Sequence, residues 1–215
     1  TRSEPDARNE AEGEGGEGYL YVFEGTGTSF TQAYQSPNID AALGLTIAEL
    51  DGSTYPEIGV ATGYVEVIDP TAGTSELHGN VRVYGYSGSS YGSEWSSNDL
   101  GEIVGGIASG DLGGSNDYLV VGTSGDSRND NQVSGEVIVY KRSGGTYTTD
   151  GTTIDSERYR PYGIAVGDVD NDGEAEIAVG TGDFGDSKPT VTVYEGSSHS
   201  IEYTKTVDTS SVWGV

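Results

Sequence analysis

The chain has 215 residues, of which 35 are acidic and 10 are basic, so its formal charge at pH 7 is -25. Nucleic acid and anionic membrane surfaces would repel such a protein, and cations are its natural partners. The absence of cysteine excludes disulfides, thiolate metal sites and cysteine nucleophiles, and no run of about 18 apolar residues is present that could span a membrane.

The chain begins with a polar segment that is followed by two short strand-like stretches. Residues 1–18 contain no apolar signal-peptide segment and no initiating Met, which indicates a processed or excised chain. GYLYVFEG at 18–25 alternates aromatic or β-branched residues before a glycine, and SFTQAYQS at 29–36 has the composition of a polar strand. We expect these two strands to form half of a four-stranded unit within residues 1–37.

Three complete units follow, each with the same order of strand types. The first strand contains an aligned glycine, the second is a nearly continuous apolar run typical of burial on both faces, the third contains tyrosine, and the fourth is rich in Thr and Ser. The units occupy residues 38–100, 101–160 and 161–209, and residues 210–215 begin a further first strand. Their strands read LGLTIAELD, EIGVATG, NVRVYGYSG and SEWSSND; GGIASGDLG, YLVVGTSG, EVIVYKRSG and TYTTDGTTI; and YGIAVGDVD, EIAVGTG, TVTVYEGSS and SIEYTKTV.

This repeat predicts an all-β fold, a β-propeller or propeller segment of four-stranded antiparallel blades with about 3.5 repeats. A four-stranded unit cannot bury both faces alone, and packing several units radially solves this problem. A two-sheet sandwich is the alternative, but it would not need the same strand types to recur in order. Propellers close with about four to eight blades. The chain is therefore expected to be a piece of a longer one, or to pair its terminal strands with another copy.

The loop between the first and second strands of the third complete unit reads DVDNDGEAE at residues 168–176, with five carboxylates. Oxygen ligands at positions one, three, five, seven and nine can surround a hard cation at about 2.3–2.6 Å. The sequence predicts a Ca²⁺ site with side-chain ligands from Asp168, Asp170, Asp172 and Glu176 and a carbonyl ligand from Glu174. Gly173 would allow the tight turn.

The loop differs from an EF-hand, and its ligands suit Ca²⁺ better than Mg²⁺ or zinc. An EF-hand needs glutamate at position twelve and flanking helices, whereas Val179 stands there between two strands. Mg²⁺ prefers few protein ligands, and zinc usually takes His or Cys. A solvated turn rich in Asp, Asn and Gly is the simplest alternative, but the repulsion among five carboxylates favours a bound dication.

The equivalent loops of the first two complete units are less acidic. ELDGSTYPE at 49–57 has the same length, and we expect a weaker site there; its ligands would be Glu49, Asp51, Ser53, Tyr55 and Glu57. DLGGSNDY at 111–118 is one residue shorter and keeps Asp111, Ser115 and Asp117. A plain turn is expected in that loop.

The sequence gives little support for catalysis, and we expect no enzyme. His78 and His199 stand in polar Gly/Ser/Thr-rich surroundings, which favours exposed loop or strand-edge positions. Pairs such as Asp183 and Asp186 could serve a glycosidase, but in so acidic a chain they arise by chance. The glycine-rich stretches carry acids where a phosphate-binding loop needs lysine.

Several aromatic residues fall at strand ends or loops, where aromatic rings can bind sugars or proteins. They are Tyr86, Tyr91, Trp95, Tyr147, Tyr159, Tyr162 and Trp213. For Tyr159, Tyr162 and Trp213, packing between blades is the favoured interpretation.

The order of Tyr162-Gly163, the D-x-D-x-D-G-x-x-E loop and Ile177-Ala178-Val179-Gly180 resembles the FG-GAP/VCBS repeat. This repeat builds integrin α-subunit-type β-propellers and many secreted microbial proteins. The resemblance covers nearly the whole chain and is strongest in the third complete unit. It implies that the loop of residues 168–176 binds Ca²⁺ between neighbouring strands of a blade, and that the protein lies outside the cytoplasm.

These observations predict an extracellular calcium-binding module with a structural, adhesive or protein-interaction role. Its partners would be proteins or glycans at a cell surface or matrix, or further copies of the chain joined through incomplete terminal blades. A carbohydrate-binding or polysaccharide-degrading propeller domain is the alternative function.

Overall fold

The computed structural model describes residues 16–69, 71, 74–114, 116–124, 135–151, 153–155, 161–182 and 188–207. Within these ranges the regular structure consists of β-strands, all paired antiparallel, and contains no helix. Accordingly, the described residues include no helix that could cross a bilayer. The high glycine content and the Val/Ile-rich alternation both favour this outcome.

The strands form four sheets in chain order. The first sheet contains β1 (Tyr21–Gly25) and β2 (Phe30–Gln35). The second contains β3 (Ala41–Ala48), β4 (Glu57–Asp69), β5 (Thr74–Tyr86) and β6 (Tyr91–Ser96). The third contains β7 (Ile103–Gly110), β8 (Tyr118–Ser124), β9 (Glu136–Ser143), β10 (Thr146–Thr149) and β11 (Ile154–Asp155). The fourth contains β12 (Pro161–Gly167), β13 (Glu176–Thr181), β14 (Thr190–Glu195) and β15 (Ile201–Thr206).

Each complete sheet is a meander in which consecutive strands are neighbours. The second and fourth sheets have the orders β3-β4-β5-β6 and β12-β13-β14-β15. The third has the order β10-β9-β8-β7, and the short β11 also pairs with β9. The first strands lie close together across sheets, since β7 contacts β3 on one side and β12 on the other.

Three apolar cores separate the four sheets. The core between the first and second sheets contains Leu20, Ile39, Ile58, Val60 and Tyr84. The core between the second and third sheets contains Val81, Val83, Val104, Leu119, Val121, Tyr140 and Tyr147, among others. The core between the third and fourth sheets contains Leu112, Val120, Val137, Ile177, Val179 and Tyr194, among others.

Strand β8 explains why second strands read as continuous apolar runs. Side chains alternate between the two faces of a strand, and Leu119 and Val121 enter one core while Val120 enters the other. From Leu119 to Ser124 the strand is therefore buried, because a sheet covers each face. Antiparallel four-stranded sheets stacked in this way form a propeller segment, which confirms the predicted all-β fold class.

Two elements differ from the sequence expectation. The β4–β5 hairpin extends beyond Gly63, with Tyr64 opposite His78 and Val67 opposite Ser75, because the alternating pattern continues past the repeated motif. The stretch TYTTDGTTI forms two strands rather than one. Gly151, between β10 and β11, has a φ of 75° that interrupts the extended backbone.

The expectation of an exposed aromatic platform is wrong for Tyr147, and Trp95 is half-buried. Tyr147 is only 6% exposed, and Trp95 packs against it with ring centres 5.0 Å apart. Tyr86 and Tyr91 pack against each other at 4.9 Å and are half-buried. Tyr159, Trp213 and the side chain of Tyr162 lie outside the described residues.

Candidate metal centre

The loop of residues 168–176, here called the third acidic loop, joins β12 to β13 and folds around its own carboxylates. Asp168 accepts hydrogen bonds from the amide nitrogens of Asn171 at 2.6 Å and Gly173 at 3.1 Å. Asp170 accepts from the amide of Asp172 at 3.1 Å. Asn171 and Gly173 have φ values of 66° and 97°, so the tight turn expected at Gly173 is present.

Three of the predicted ligands meet in this loop. Single carboxylate oxygens of Asp168, Asp170 and Glu176 lie within 4.8 Å of one another. Asp172 is not part of this group, and its carboxylate accepts a hydrogen bond from the amide of Glu174 at 2.9 Å. The Glu174 side chain lies near Ser197, whose hydroxyl donates to it at 3.4 Å.

Glu176 is the buried member of the group. It begins β13 and is 1% exposed, and its Oε2 accepts a hydrogen bond from the amide of Val169 at 2.6 Å. A buried carboxylate is costly unless it is paired or bound to a cation. An oxygen-only set of acidic ligands fits a hard divalent cation, so the residues present are chemically suited to Ca²⁺.

Two further carboxylates adjoin Glu176, and sequence reasoning missed both. Glu195 lies opposite Glu176 across the β13–β14 pair, and oxygens of Glu176, Glu195 and Glu202 lie within 4.8 Å of one another. Glu202 is exposed, and partial desolvation together with the negative charges of Glu195 and Glu176 raises its pKa. The available signal was the strand register, because aligning the predicted β13 and β14 places the two glutamates opposite each other.

The loop of residues 49–57, here called the first acidic loop, has a similar arrangement. Oxygens of Glu49, Asp51 and Glu57 lie within 4.8 Å of one another. Glu57 is 1% exposed, accepts a hydrogen bond from the amide of Leu50 at 2.8 Å, and has a pKa raised to about 7, chiefly by burial. The Ser53 hydroxyl donates to the Tyr55 carbonyl at 2.8 Å and lies 3.5 Å from Glu57 Oε1.

The loop of residues 111–118 is organised as a turn. Asp111 accepts hydrogen bonds from the amides of Gly113 and Gly114 at 2.9 and 3.1 Å, and Leu112 is buried in the core next to the fourth sheet. Tyr118 stands where the other loops place a buried glutamate. Among the described residues no group of three acids meets in this loop; Ser115 lies outside them.

The two histidines have different surroundings. The side chain of His78 is 19% exposed, hydrogen-bonds to Asp99 and, at 3.1 Å, to Glu66, and stacks on Tyr64 with ring centres 4.7 Å apart. His78 is therefore half-buried rather than exposed, and it lies on the part of β5 that pairs with β4 but not with β6. His199 is half-buried in the turn between β14 and β15. Asp183 and Asp186 lie outside the described residues.

The region around the third acidic loop is similar to a known repeat. Residues 160–197 match the FG-GAP repeat. The matched region contains β12, the third acidic loop, β13 and β14, so the sequence resemblance and the group of Asp168, Asp170 and Glu176 fall on the same residues. A search of curated proteins found no match.

The FG-GAP match supports a β-propeller module of the kind that mediates protein interactions. FG-GAP repeats are typically structural rather than catalytic, occur mostly in extracellular proteins and often bind Ca²⁺. The acidic groups of both loops have the composition to hold such an ion.

Proposed function

We propose that the chain is an extracellular β-propeller module, stabilised by Ca²⁺ in the third acidic loop, with a structural, adhesive or protein-interaction role. Its blades would divide at residues 38, 101, 161 and 210, and its partners would be proteins or glycans at a cell surface or matrix. The observation that carries the proposal is the buried Glu176, whose carboxylate lies beside those of Asp168 and Asp170.

The ligands would be the side chains of Asp168, Asp170, Asp172 and Glu176 and the carbonyl of Glu174. A bound ion would remove the repulsion among these groups and fix the end of β12 to the start of β13. An ion that binds only the folded chain stabilises it by about 2.7 kcal/mol at a hundredfold excess over its dissociation constant. For a domain of this size that corresponds to a rise in melting temperature of roughly 5–10 °C.

Melting in Ca²⁺ and in a chelator tests this proposal. We expect Ca²⁺ to raise the melting temperature of the wild type, and the D170A/D172A double variant to lose that rise. Glu24 and Glu76 are exposed acids outside the loop, so the E24Q/E76Q variant removes the same charge and should keep the response. A wild type whose melting temperature is unchanged by Ca²⁺ would contradict the proposal.

Self-association is a second candidate function. It is favoured by a strand edge in the first sheet and by exposed apolar side chains in the second. In the described chain β1 pairs only with β2. Beside it, a groove of about 310 Å³ is lined by residues that include Tyr19, Tyr21 and Val60. The neighbouring strand β3 exposes Leu43, Leu45 and Ile47 by 47%, 61% and 61%. A second copy of the chain could add strands to this edge and cover this apolar face.

Sedimentation velocity over a range of concentrations tests self-association. We expect the wild type to form a larger species as concentration rises, and L45K to remain monomeric. Ile68, on the β4–β5 hairpin, is 52% exposed, so I68K makes the same chemical change away from the groove and should still associate. A wild type that stays monomeric throughout would exclude this candidate.

A further inference from the structure

Arg142 of the third sheet reaches into the first acidic loop, which belongs to the second sheet. Its Nη1 lies 2.9 Å from Asp51 Oδ2 and 3.8 Å from Glu94 Oε2. The Arg142 and Asp51 side chains are only 24% and 15% exposed, and the guanidinium carbon lies 5.9 Å from the centre of the Tyr147 ring. The pair is therefore partly shielded from water, where a charge-charge contact is stronger than at an open surface.

The acids around Arg142 have structural counterparts in the fourth sheet. Asp51 and Asp170 occupy the third position of equivalent loops, and Glu57 and Glu176 occupy the ninth. Glu94 and Glu202 each lie in a β-bulge of the outermost strand, at equivalent register shifts. The two sheets therefore present similar acidic groups, and in the second sheet a guanidinium stands among them.

The fourth sheet has no equivalent arginine within the described chain. The described arginines are Arg82, which pairs with Asp40 at 3.8 Å, and Arg142. In the third acidic loop the carboxylates accept hydrogen bonds from backbone amides. These amides carry a partial positive charge and not a full one. Among the described residues, no guanidinium like that of Arg142 lies among the acids of the fourth sheet.

The first and third acidic loops also differ in the residue at their fifth position. In the first acidic loop Ser53 is a hydroxyl that donates to the Tyr55 carbonyl, so two oxygens that a metal would bind satisfy each other. In the third acidic loop Asp172 holds this position, and an ionised carboxylate can only accept hydrogen bonds. Its oxygens and the Glu174 carbonyl oxygen cannot pair in that way.

We propose that the Arg142 guanidinium is the resident cation of the first acidic loop, so that this loop takes no Ca²⁺ and joins the second sheet to the third without metal. Of the carboxylates that would bind an ion, that of Asp51 is already paired with a side chain from the neighbouring sheet. It follows that removal of the Arg142 charge should convert the loop into a cation site.

The experiment uses the D170N/D172N background, in which the third acidic loop is disabled, with Ca²⁺ or chelator added during melting. We expect the background to show no Ca²⁺ response. Addition of R142Q should lower the melting temperature in chelator by several degrees. With R142Q present, Ca²⁺ should raise the melting temperature by about 5 °C. Further addition of D51N should abolish this effect of Ca²⁺. R142K keeps the positive charge and should create no Ca²⁺ response.

Two results would overturn the proposal. One is a Ca²⁺ response in the background that D51N abolishes, because the loop would then bind metal beside Arg142. The other is an R142Q variant that gains no Ca²⁺ response. R142M keeps the aliphatic packing beside Tyr147 as a second variant, and failure of both variants to fold in Ca²⁺ counts against the proposal. A wild type without Ca²⁺ response would refute only the function proposed above, since this test works in its absence.

Discussion

At the scale of single residues, the three complete sheets differ in the residue that begins the second strand and in the charges around it. Glu57, Tyr118 and Glu176 each begin the second strand of a complete sheet. Glu57 has Arg142 near its loop, and Tyr118 removes the charge altogether. Glu176 keeps its carboxylate beside four others, and we propose a metal ion for it. The first and third acidic loops therefore share a buried glutamate at this position, and within the described residues only the first has an arginine beside it.

His78 carries the residue-scale prediction. Its hydrogen bond with Asp99 raises the pKa of His78, although burial acts in the opposite direction. Burial alone would raise the pKa of Asp99, but hydrogen bonds from His78 and from the amides of Gly101 and Gly79 lower it. Because the histidine pKa is raised on folding, its stabilisation is complete below its unfolded pKa of about 6.5 and is lost as pH rises through the folded value.

The change to make is H78Q, followed by urea unfolding at about pH 5.5 and about pH 9. We expect a loss of about 0.5–1 kcal/mol at the lower pH, a value reduced by solvent exposure of Asp99 and Glu66. The loss should shrink at the higher pH. An H78Q penalty that is equal at both pH values would contradict this assignment.

Local chemistry made part of the site predictable. The alternating acids of residues 168–176 and the turn at Gly173 follow from neighbouring residues, and the structure has both the turn and the approach of Asp168, Asp170 and Glu176. Glu202 and Arg142 were not predicted. The first depends on a β-bulge and the second on packing between sheets, and neither relation is expressed in sequence spacing.

At the scale of elements, glycines set how closely the sheets approach. A Cβ atom at Gly122 in β8 would lie 2.5 Å from the Pro161 carbonyl oxygen and 2.9 Å from Ile164 Cδ1. Both contacts belong to β12 of the next sheet. Gly122 therefore permits the close approach of β8 to β12.

We expect G122A to destabilise the protein by about 1–3 kcal/mol, because backbone of β12 must move away to admit the methyl group. Gly92 in β6 is the control, since a Cβ there would meet nothing within 4 Å. G92A should change the free energy of unfolding by less than about 0.5 kcal/mol. Denaturant unfolding of the two variants measures the difference, and equal stability would show that the sheets separate without cost.

The strand order was predictable because each strand type carries its own pattern. The glycine-bearing, apolar, tyrosine-bearing and polar strands occur in the expected sequence in all three complete sheets. The length of the β4–β5 hairpin was not predicted. Its extension lies outside the repeat, and its pairing is supported by contacts such as those of His78 with Asp99, which follows β6.

At the scale of the whole molecule, stacking of similar sheets combines with an excess of negative charge. Each sheet buries its faces only through its neighbours, so stability is shared among interfaces rather than held in one core. The charge acts against this arrangement, because 35 acids and 10 bases leave a net repulsion across the stack. Ion pairs such as Arg142 with Asp51 offset part of it.

Salt should therefore stabilise the protein even when Ca²⁺ is absent. Raising sodium chloride from about 0.05 M to about 1 M shortens the screening length to about 3 Å, which weakens repulsion between distant acids more than contacts at hydrogen-bond distance. We expect the melting temperature in chelator to rise with salt, and potassium chloride to act equally because screening does not distinguish the cations. The D170N/D172N variant should keep most of this rise while losing the response to Ca²⁺. A melting temperature that falls with salt would mean that attractive ion pairs outweigh the repulsion.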